Sequence, residues 1–123
     1  MNLQISLYNE SKEAFLAMRV TQARTFWQRL KGWIGKRSCR AGEGLLLTPC
    51  RSVHTWFMSV PIDVIYLDQD LRVVGIAERV KPFQFPKSVR RASSVLELPA
   101  GTVAHSGVGI FDQLRIVLKE AVE

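Results

Sequence analysis

Polar and apolar residues alternate at the start of the chain, as they do in a half-buried β-strand. Leu3, Ile5 and Leu7 alternate with polar neighbours, so their side chains would share one face of a strand. A polar turn near residues 10–12 follows, and residues 15–20 can then run back along the first strand. This pattern predicts a β-hairpin.

The apolar spacing changes to that of a helix in the next segment. The residues with helical spacing are Phe26, Leu30, Trp33 and Ile34. Thr21 and Thr25 are both of a type that favours the N-cap position, and Gly35 is of the type that ends helices. We expect one helix at about residues 25–34, and no other segment has so clear a helical pattern.

Short apolar runs separated by turn residues fill the rest of the chain. They predict strands at residues 45–48, 54–58, 62–67, 73–80, 94–98 and 113–118. We therefore expect an α+β, mainly β fold: a small antiparallel barrel or sandwich of about seven to eight short strands with one helix. No linker or repeat divides the sequence, so residues 1–123 are expected to form a single domain.

The composition is that of a globular protein. With 123 residues and a hydrophobic content of 47%, the chain can bury a core without metal ions or disulfides. It has no run approaching the roughly 18 apolar residues that a membrane span needs. The N-terminus lacks the basic and then apolar segments of a secretory signal, so we expect a cytoplasmic protein with no membrane span.

The chain has few cysteines and histidines, the residues most used in zinc sites and in nucleophile–base pairs. They are Cys39, Cys50, His54 and His105. None of their spacings matches the short intervals that close structural zinc sites, so we predict no metal and no cofactor. Cys50 and His54 would stand about 13 Å apart on an extended strand, too far for a nucleophile and its base unless the chain bends.

Asp63 stands in a segment, residues 62–67, that is largely apolar on both faces. Such a strand is covered on both sides, and a carboxylate within it needs hydrogen-bond donors. We expect Asp63 to accept hydrogen bonds from backbone N–H groups of the preceding loop, Cys50 to be a small buried hydrophobe and His54 to be a polar partner across strands. The alternative is a small enzyme with its site around Cys50, His54 and Asp63.

Positive charge is the strongest signal in the composition. The chain has 17 Lys and Arg residues against 11 Asp and Glu residues, a net charge of +6. Basic residues without acids between them cluster within residues 14–42 and again within residues 79–95. We predict a small non-enzymatic binding or scaffold domain whose basic surface meets an acidic protein or other polyanion. A basic face that only keeps the protein soluble would show the same pattern.

The second basic cluster also carries aromatic residues. The side chains that we expect to contact a partner are those of Lys81, Phe83, Phe85, Lys87, Arg90 and Arg91. Phenylalanines between cations can stack on bases, so nucleic acid is the alternative partner. The same phenylalanines could instead anchor the loop to the core.

Separated motifs in the sequence resemble a known family. They are "CRSVHTWFMSVPIDVIYLD" at residues 50–68, "VLELPAG" at residues 95–101, "RLKGWIGK" at residues 29–36 and the segment of residues 100–114. Together they are similar to the bacterial and archaeal family called domain of unknown function 192, in its subgroup with C-x-S-[IV]-H-T-x-F-M-x-x-P-[IL]-D-V. The resemblance covers about residues 14–118 and implies a compact, mainly β fold with one helix and no established activity.

Two turns depart from the pattern of that family. Leu71 stands where the family usually has a glycine in a hairpin turn, and Phe111 stands where it usually has the glycine of a Gly-Asp pair. Glycine adopts positive φ readily, whereas leucine and phenylalanine are strained there. We therefore expect that Leu71 does not readily supply a positive φ at its turn, and that Phe111 places a bulky side chain at a tight turn.

Overall fold

The structure, a computed structural model, describes residues 4–23, 40–50, 60–82, 84 and 88–118. These ranges contain seven strands and one short helix. In chain order they are β1 Gln4–Asn9, β2 Ala14–Ala23, β3 Glu43–Leu47, β4 Ile62–Leu67, β5 Val73–Val80, β6 Ser94–Pro99, α1 Thr102–Ser106 and β7 Leu114–Leu118. The predicted α+β, mainly β fold is confirmed.

All seven strands belong to one sheet with the order β5-β4-β6-β3-β2-β1-β7. The sheet curls, because its two edge strands meet at one end through a bridge between Arg72 and Gln113. The backbone N–H of Val73 donates to the carbonyl of Asp112 at 2.9 Å, and the N–H of Leu114 donates to the carbonyl of Leu71 at 3.0 Å. The result is a half-barrel that is closed where the edge strands join.

The pairing follows the predicted hairpin and differs from the prediction at one place. β1 and β2 form the antiparallel hairpin, with Asn9 opposite Ala14 at its turn. β2 and β3 are parallel, although the sequence predicts an antiparallel sheet throughout. Parallel neighbours need a long connection, and residues 24–42 between these two strands supply it.

One helix prediction and one strand prediction lie outside the described residues, namely residues 25–34 and 54–58. The helix α1 was not predicted. It has only five residues, too few to show a helical apolar spacing. Its flanking glycines, Gly101 and Gly107, both have positive φ, and the N–H of Gly107 closes the helix on the carbonyl of Val103.

The main core lies on the concave face of the curled sheet. All seven strands contribute to it, and Val103 of α1 together with Val108 closes one side. Typical members, one from each of six strands, are Ile5, Val20, Leu46, Ile65, Leu96 and Leu114. The convex face of β3, β4, β5 and β6, hereafter the outer face, carries two smaller apolar clusters. β4 is consequently buried at all six of its residues, as its apolar pattern predicts.

Leu71 and Phe111 both adopt the positive φ that their side chains disfavour, so the expectation that Leu71 would not adopt it is wrong. Their φ angles are 64° and 72°. The two residues lie where the edge strands meet, and the N–H of Phe111 donates to the carbonyl of Val73 at 2.8 Å. The hydrogen bonds of this junction therefore hold both turns in a conformation that glycine would adopt without strain.

Candidate functional site

The carboxylate of Asp63 organises one end of the half-barrel. The side chain is fully buried and accepts three backbone hydrogen bonds. Oδ1 accepts from the N–H of Arg79 at 2.9 Å, and Oδ2 accepts from the N–H groups of Gly101 at 3.1 Å and Val103 at 2.8 Å. Asp63 was expected to bind the loop that precedes it, but these donors come from the end of β5 and the start of α1.

A bulge in β5 brings one of those donors into place. Ile62 pairs with Val80 and Val64 pairs with Ala77, so Asp63 lies opposite two residues, Glu78 and Arg79. Arg79 has a φ of 51°, which turns its N–H towards the carboxylate. These bonds satisfy both oxygens of Asp63, so the geometry gives this residue a structural role.

Arg90 and Arg91 occupy the two central positions of a turn. The N–H of Ala92 donates to the carbonyl of Val89 at 3.1 Å and closes this turn. Both arginines are exposed, and neither forms an ion pair or a hydrogen bond within the described part of the chain. The turn thus presents two adjacent guanidinium groups to solvent.

Apolar contacts dock this turn on the outer face. Val89 packs against the cluster of Tyr66 and Val64, and Ala92 is buried in it. A Cβ on Gly75 would lie 2.9 Å from Cγ2 of Val89 and 3.0 Å from Cδ2 of Tyr66, so the absence of a side chain there permits the close approach. The turn is fixed to the sheet rather than extended away from it.

Lys81 lies at the opposite end of β4 from that turn. It follows Val80, which pairs with the first residue of β4, whereas the N–H of Ser93 donates to the carbonyl of Leu67 at the other end. Six residues of strand separate the two ends by about 17 Å. The predicted contact residues Phe83, Phe85 and Lys87 lie outside the described residues.

A groove with a volume of about 580 Å³ runs between β2, the turn before β3 and α1. Phe15 lines it with 47% of its surface exposed, and His105 is the one titratable residue among the described residues of the lining. The hydroxyl of Thr102 donates to the carbonyl of Pro99 at 2.7 Å, within the lining itself. The described residues of the groove therefore offer space and the imidazole of His105.

Cys50 lies on the outer face, where it is partly buried. It packs against the clusters on both sides of β6, and its N–H donates to the carbonyl of Ser93 at 2.9 Å. Asp63 points to the concave side, with Ile65 and Leu67 of the same strand. The structure thus places Cys50 and Asp63 on opposite faces of the sheet, and His54, the third predicted site residue, lies outside the described residues.

Glu97 is a buried acid that the sequence did not single out. Its side chain faces the outer side of β6, together with Val95, and it is only 4% exposed. Burial raises the pKa of Glu97 to about 8, so the carboxyl is mostly protonated at neutral pH. Burial also raises the pKa of Tyr66 above its ordinary value, and nearby Cys50 adds to that rise.

Asp112 forms a second polar centre, at the junction of the edge strands. Burial favours its neutral form, but hydrogen bonds from Asn9, Gly109 and Lys12 outweigh that effect and lower its pKa. Oδ2 accepts from Nδ2 of Asn9 at 2.9 Å, and Nζ of Lys12 lies 3.0 Å from Oδ1. This network joins the β1–β2 turn to the turn before β7.

Two general properties of the described residues bear on function. They contain no group of three or more His, Cys, Asp and Glu side chains arranged to hold a metal ion. No helix among them has the length and apolarity that a membrane-spanning helix requires.

The chain is similar in sequence to one family of proteins. The model of the family DUF192, described as "Uncharacterized ACR", matches residues 7–116. A UPF0127 protein of Thermococcus sibiricus is 29% identical over 88% of this chain and 72% of its own length. A UPF0127 protein of Pyrococcus horikoshii is 34% identical over 77% of this chain and 84% of its own length.

Two solved structures share the fold. A protein of unknown function from Novosphingobium aromaticivorans superposes with a TM-score of 0.80 at 22% identity, over 93% of this chain and 84% of that one. A Sinorhizobium meliloti protein, described as a candidate transcription regulator, superposes with a TM-score of 0.75 at 26% identity over 94% of both chains.

Proposed function

The chain belongs to the DUF192 family, whose members have no established activity, and we propose that it is a non-enzymatic binding domain for an acidic protein segment. Arg90 and Arg91 form the centre of the proposed contact surface, and Lys81 extends it along the outer face. The partner would be met in the cytoplasm, the compartment that the sequence predicts.

The observation that carries this proposal is the docked turn with two exposed arginines. A guanidinium group binds carboxylates in a planar, two-pronged geometry, and two adjacent ones favour a segment with several acidic side chains. Val89 and Ala92 hold the turn against the sheet, so little conformational freedom is lost when a partner binds.

The distance between Lys81 and the turn favours an extended partner. The two lie near opposite ends of β4, about 17 Å apart along the strand direction. A compact anion cannot span that distance, whereas an extended acidic segment of five or six residues, at roughly 3.3 Å per residue, can.

The test is a titration with fluorescently labelled polyglutamate. We expect binding that weakens steeply as the salt concentration rises, because exposed charges are screened. Two exposed ion pairs worth about 0.2–1 kcal/mol each predict a roughly two- to thirtyfold loss of affinity in the R90A/R91A variant.

The matched control is R72A/R115A, which removes the same charge from two exposed arginines elsewhere. Arg72 donates to the carbonyl of Phe111, and Arg115 pairs with Glu10, so both are already engaged. An equal loss of affinity in the control would mean that net charge alone attracts polyglutamate, and binding insensitive to salt would contradict the proposal outright.

Nucleic acid is the second candidate partner, and one observation favours it. The Sinorhizobium meliloti protein that shares this fold at 26% identity is described as a candidate transcription regulator. The same titration with a labelled single-stranded oligonucleotide separates the two candidates. Tighter binding to the oligonucleotide than to polyglutamate at equal salt, lost in R90A/R91A, would replace the acidic protein by nucleic acid.

A further inference from the structure

Two buried polar atoms on the outer face have no hydrogen-bond partner in the part of the chain that the structure describes. They are Oε2 of Glu97 and the hydroxyl oxygen of Tyr66. Glu97 is 4% exposed and Tyr66 is 1% exposed. Buried polar groups in folded proteins are almost always paired, so two unpaired ones on one face need an explanation.

The strand register places the two side chains next to each other. Glu97 pairs with Val64, and Tyr66 pairs with Val95, so Tyr66 and Glu97 are diagonal neighbours on the same face of β4 and β6. Diagonal neighbours have Cα atoms about 7–8 Å apart, within reach of an aromatic and a long side chain. The two side chains therefore lie side by side on the outer face.

The surroundings of this pair are apolar. Across β6 from Val64, Glu97 pairs with Leu45 of β3. Cys50 packs against the clusters that contain Tyr66 and Leu45, so its thiol lies at the margin of the same region. Tyr66 and Cys50 are the titratable residues among the described residues of these two clusters.

Phenylalanine at position 66 and an aliphatic residue at position 97 would keep the packing and remove the unpaired polar atoms. Such a replacement often leaves the stability of the fold unchanged or raises it. Polar groups that do not serve the fold are expected where they bind something. We propose that Glu97 and Tyr66, with Cys50 at the margin, form a binding site for a small neutral molecule that carries an amide group.

The chemistry of the two side chains selects a neutral ligand. Glu97 keeps its proton at neutral pH, so its carboxyl can donate one hydrogen bond and accept another. Tyr66 can also do both. A primary amide matches this pair with its own donor and acceptor, whereas an ion would have to enter an apolar region without a countercharge.

The proposal can be tested by titrating the protein at pH 7 with acetamide, acetate and ethylammonium while backbone amide chemical shifts are measured. The three compounds are similar in size and differ in charge. We expect acetamide to shift the resonances of β4 and β6 around Tyr66 and Glu97, and neither ion to do so. In Y66F and E97L we expect the affinity for acetamide to fall at least about fivefold, the effect of one lost hydrogen bond. We expect the melting temperatures of both variants to equal or exceed that of the wild type. Y8F, which removes a hydroxyl from β1, is the matched control and should bind acetamide normally.

E97Q supplies a readout that a purely structural role would not change. Glutamine keeps a donor and an acceptor but cannot ionise, so E97Q should still bind acetamide at pH 7 and above pH 8, where the wild type should lose affinity. The proposal would be overturned if acetamide caused no shift around Glu97, or if Y66F and E97L bound it as tightly as the wild type. Lower melting temperatures in both variants would also overturn it, because the two polar groups would then stabilise the fold.

Discussion

At the scale of single residues, Asp63 joins three elements that are distant in the sequence. Its two oxygens accept hydrogen bonds from the end of β5 and from the start of α1. An amide oxygen can replace only one carboxylate oxygen, so D63N should lower the free energy of unfolding by roughly 1–3 kcal/mol. D63A should lower it further, because all three N–H groups lose their acceptor. Urea denaturation at pH 7 measures both effects.

Asp70 provides the control for this prediction, because its side chain is exposed and accepts no hydrogen bond within the described part of the chain. D70A should change stability by less than about 0.5 kcal/mol. If D63A were as stable as D70A, the carboxylate would have no structural role, and a functional role for Asp63 would become the better explanation.

Asp63 and Glu97 also show what the sequence can and cannot predict about a site. A carboxylate in a strand that is apolar on both faces is predicted to be buried and to need hydrogen-bond donors. The sequence supports this prediction for Asp63. The donors Gly101 and Val103 lie 38 and 40 residues away, so only the fold identifies them. Glu97 alternates with Leu96 and Leu98, the pattern of a residue that faces solvent. Its burial follows from the central position of β6 between β3 and β4.

At the scale of elements, the strands were more predictable than their partners. β4 and β5 match their predicted ranges because each is a mostly apolar segment bounded by turn residues. The parallel pairing of β2 with β3 could not be predicted, because apolar alternation fixes the face of a strand but not its neighbour. The helix α1 is too short to show the apolar spacing of a helix in the sequence. Its flanking glycines, Gly101 and Gly107, are the only sequence signal of its ends.

The network around Asp112 joins two turns, and its strength should depend on pH. Because the folded pKa of Asp112 lies below 3.8, its ordinary value, the carboxylate stabilises the fold above about pH 4, and this contribution disappears as the pH falls through the folded pKa. D112N should therefore lower the free energy of unfolding by roughly 1–3 kcal/mol at pH 7. The difference from the wild type should shrink in acid, as measured by urea denaturation at several pH values.

The exposed pair of Glu10 and Arg115 is the control for Asp112. Its N–O distance is 3.3 Å and both side chains are about half exposed, so E10Q should cost less than about 1 kcal/mol at any of these pH values. A D112N variant that behaved like E10Q would show that the link between the two turns does not stabilise the fold.

At the scale of the whole molecule, the features that stabilise the fold and the features proposed to bind other molecules lie on opposite faces of the sheet. The concave face holds the main core and the Asp63 hydrogen bonds, whereas the outer face carries the docked arginine turn and the pair of Tyr66 and Glu97. Arg90 and Arg91 lie on a turn whose flanking residues cover Tyr66. A ligand beside Tyr66 could therefore change how the arginine turn is presented.

Glu97 should set the pH dependence of the whole fold above pH 5. In the unfolded chain its carboxyl loses its proton near pH 4.5, whereas the folded protein keeps the proton until about pH 8. Between these values the folded state binds more protons, so stability should fall as the pH rises, by on the order of 1 kcal/mol for each pH unit. Asp112 acts in the opposite direction, because its contribution is lost as the pH falls below about 4, so the combined contribution of these two groups should be largest between about pH 4 and 4.5. E97Q cannot titrate, and its stability relative to the wild type should rise steadily from pH 5 to pH 8 in urea denaturation and then level off. Parallel profiles for the two proteins would mean that Glu97 is ionised in the folded state, and would remove the basis for a neutral carboxyl on the outer face.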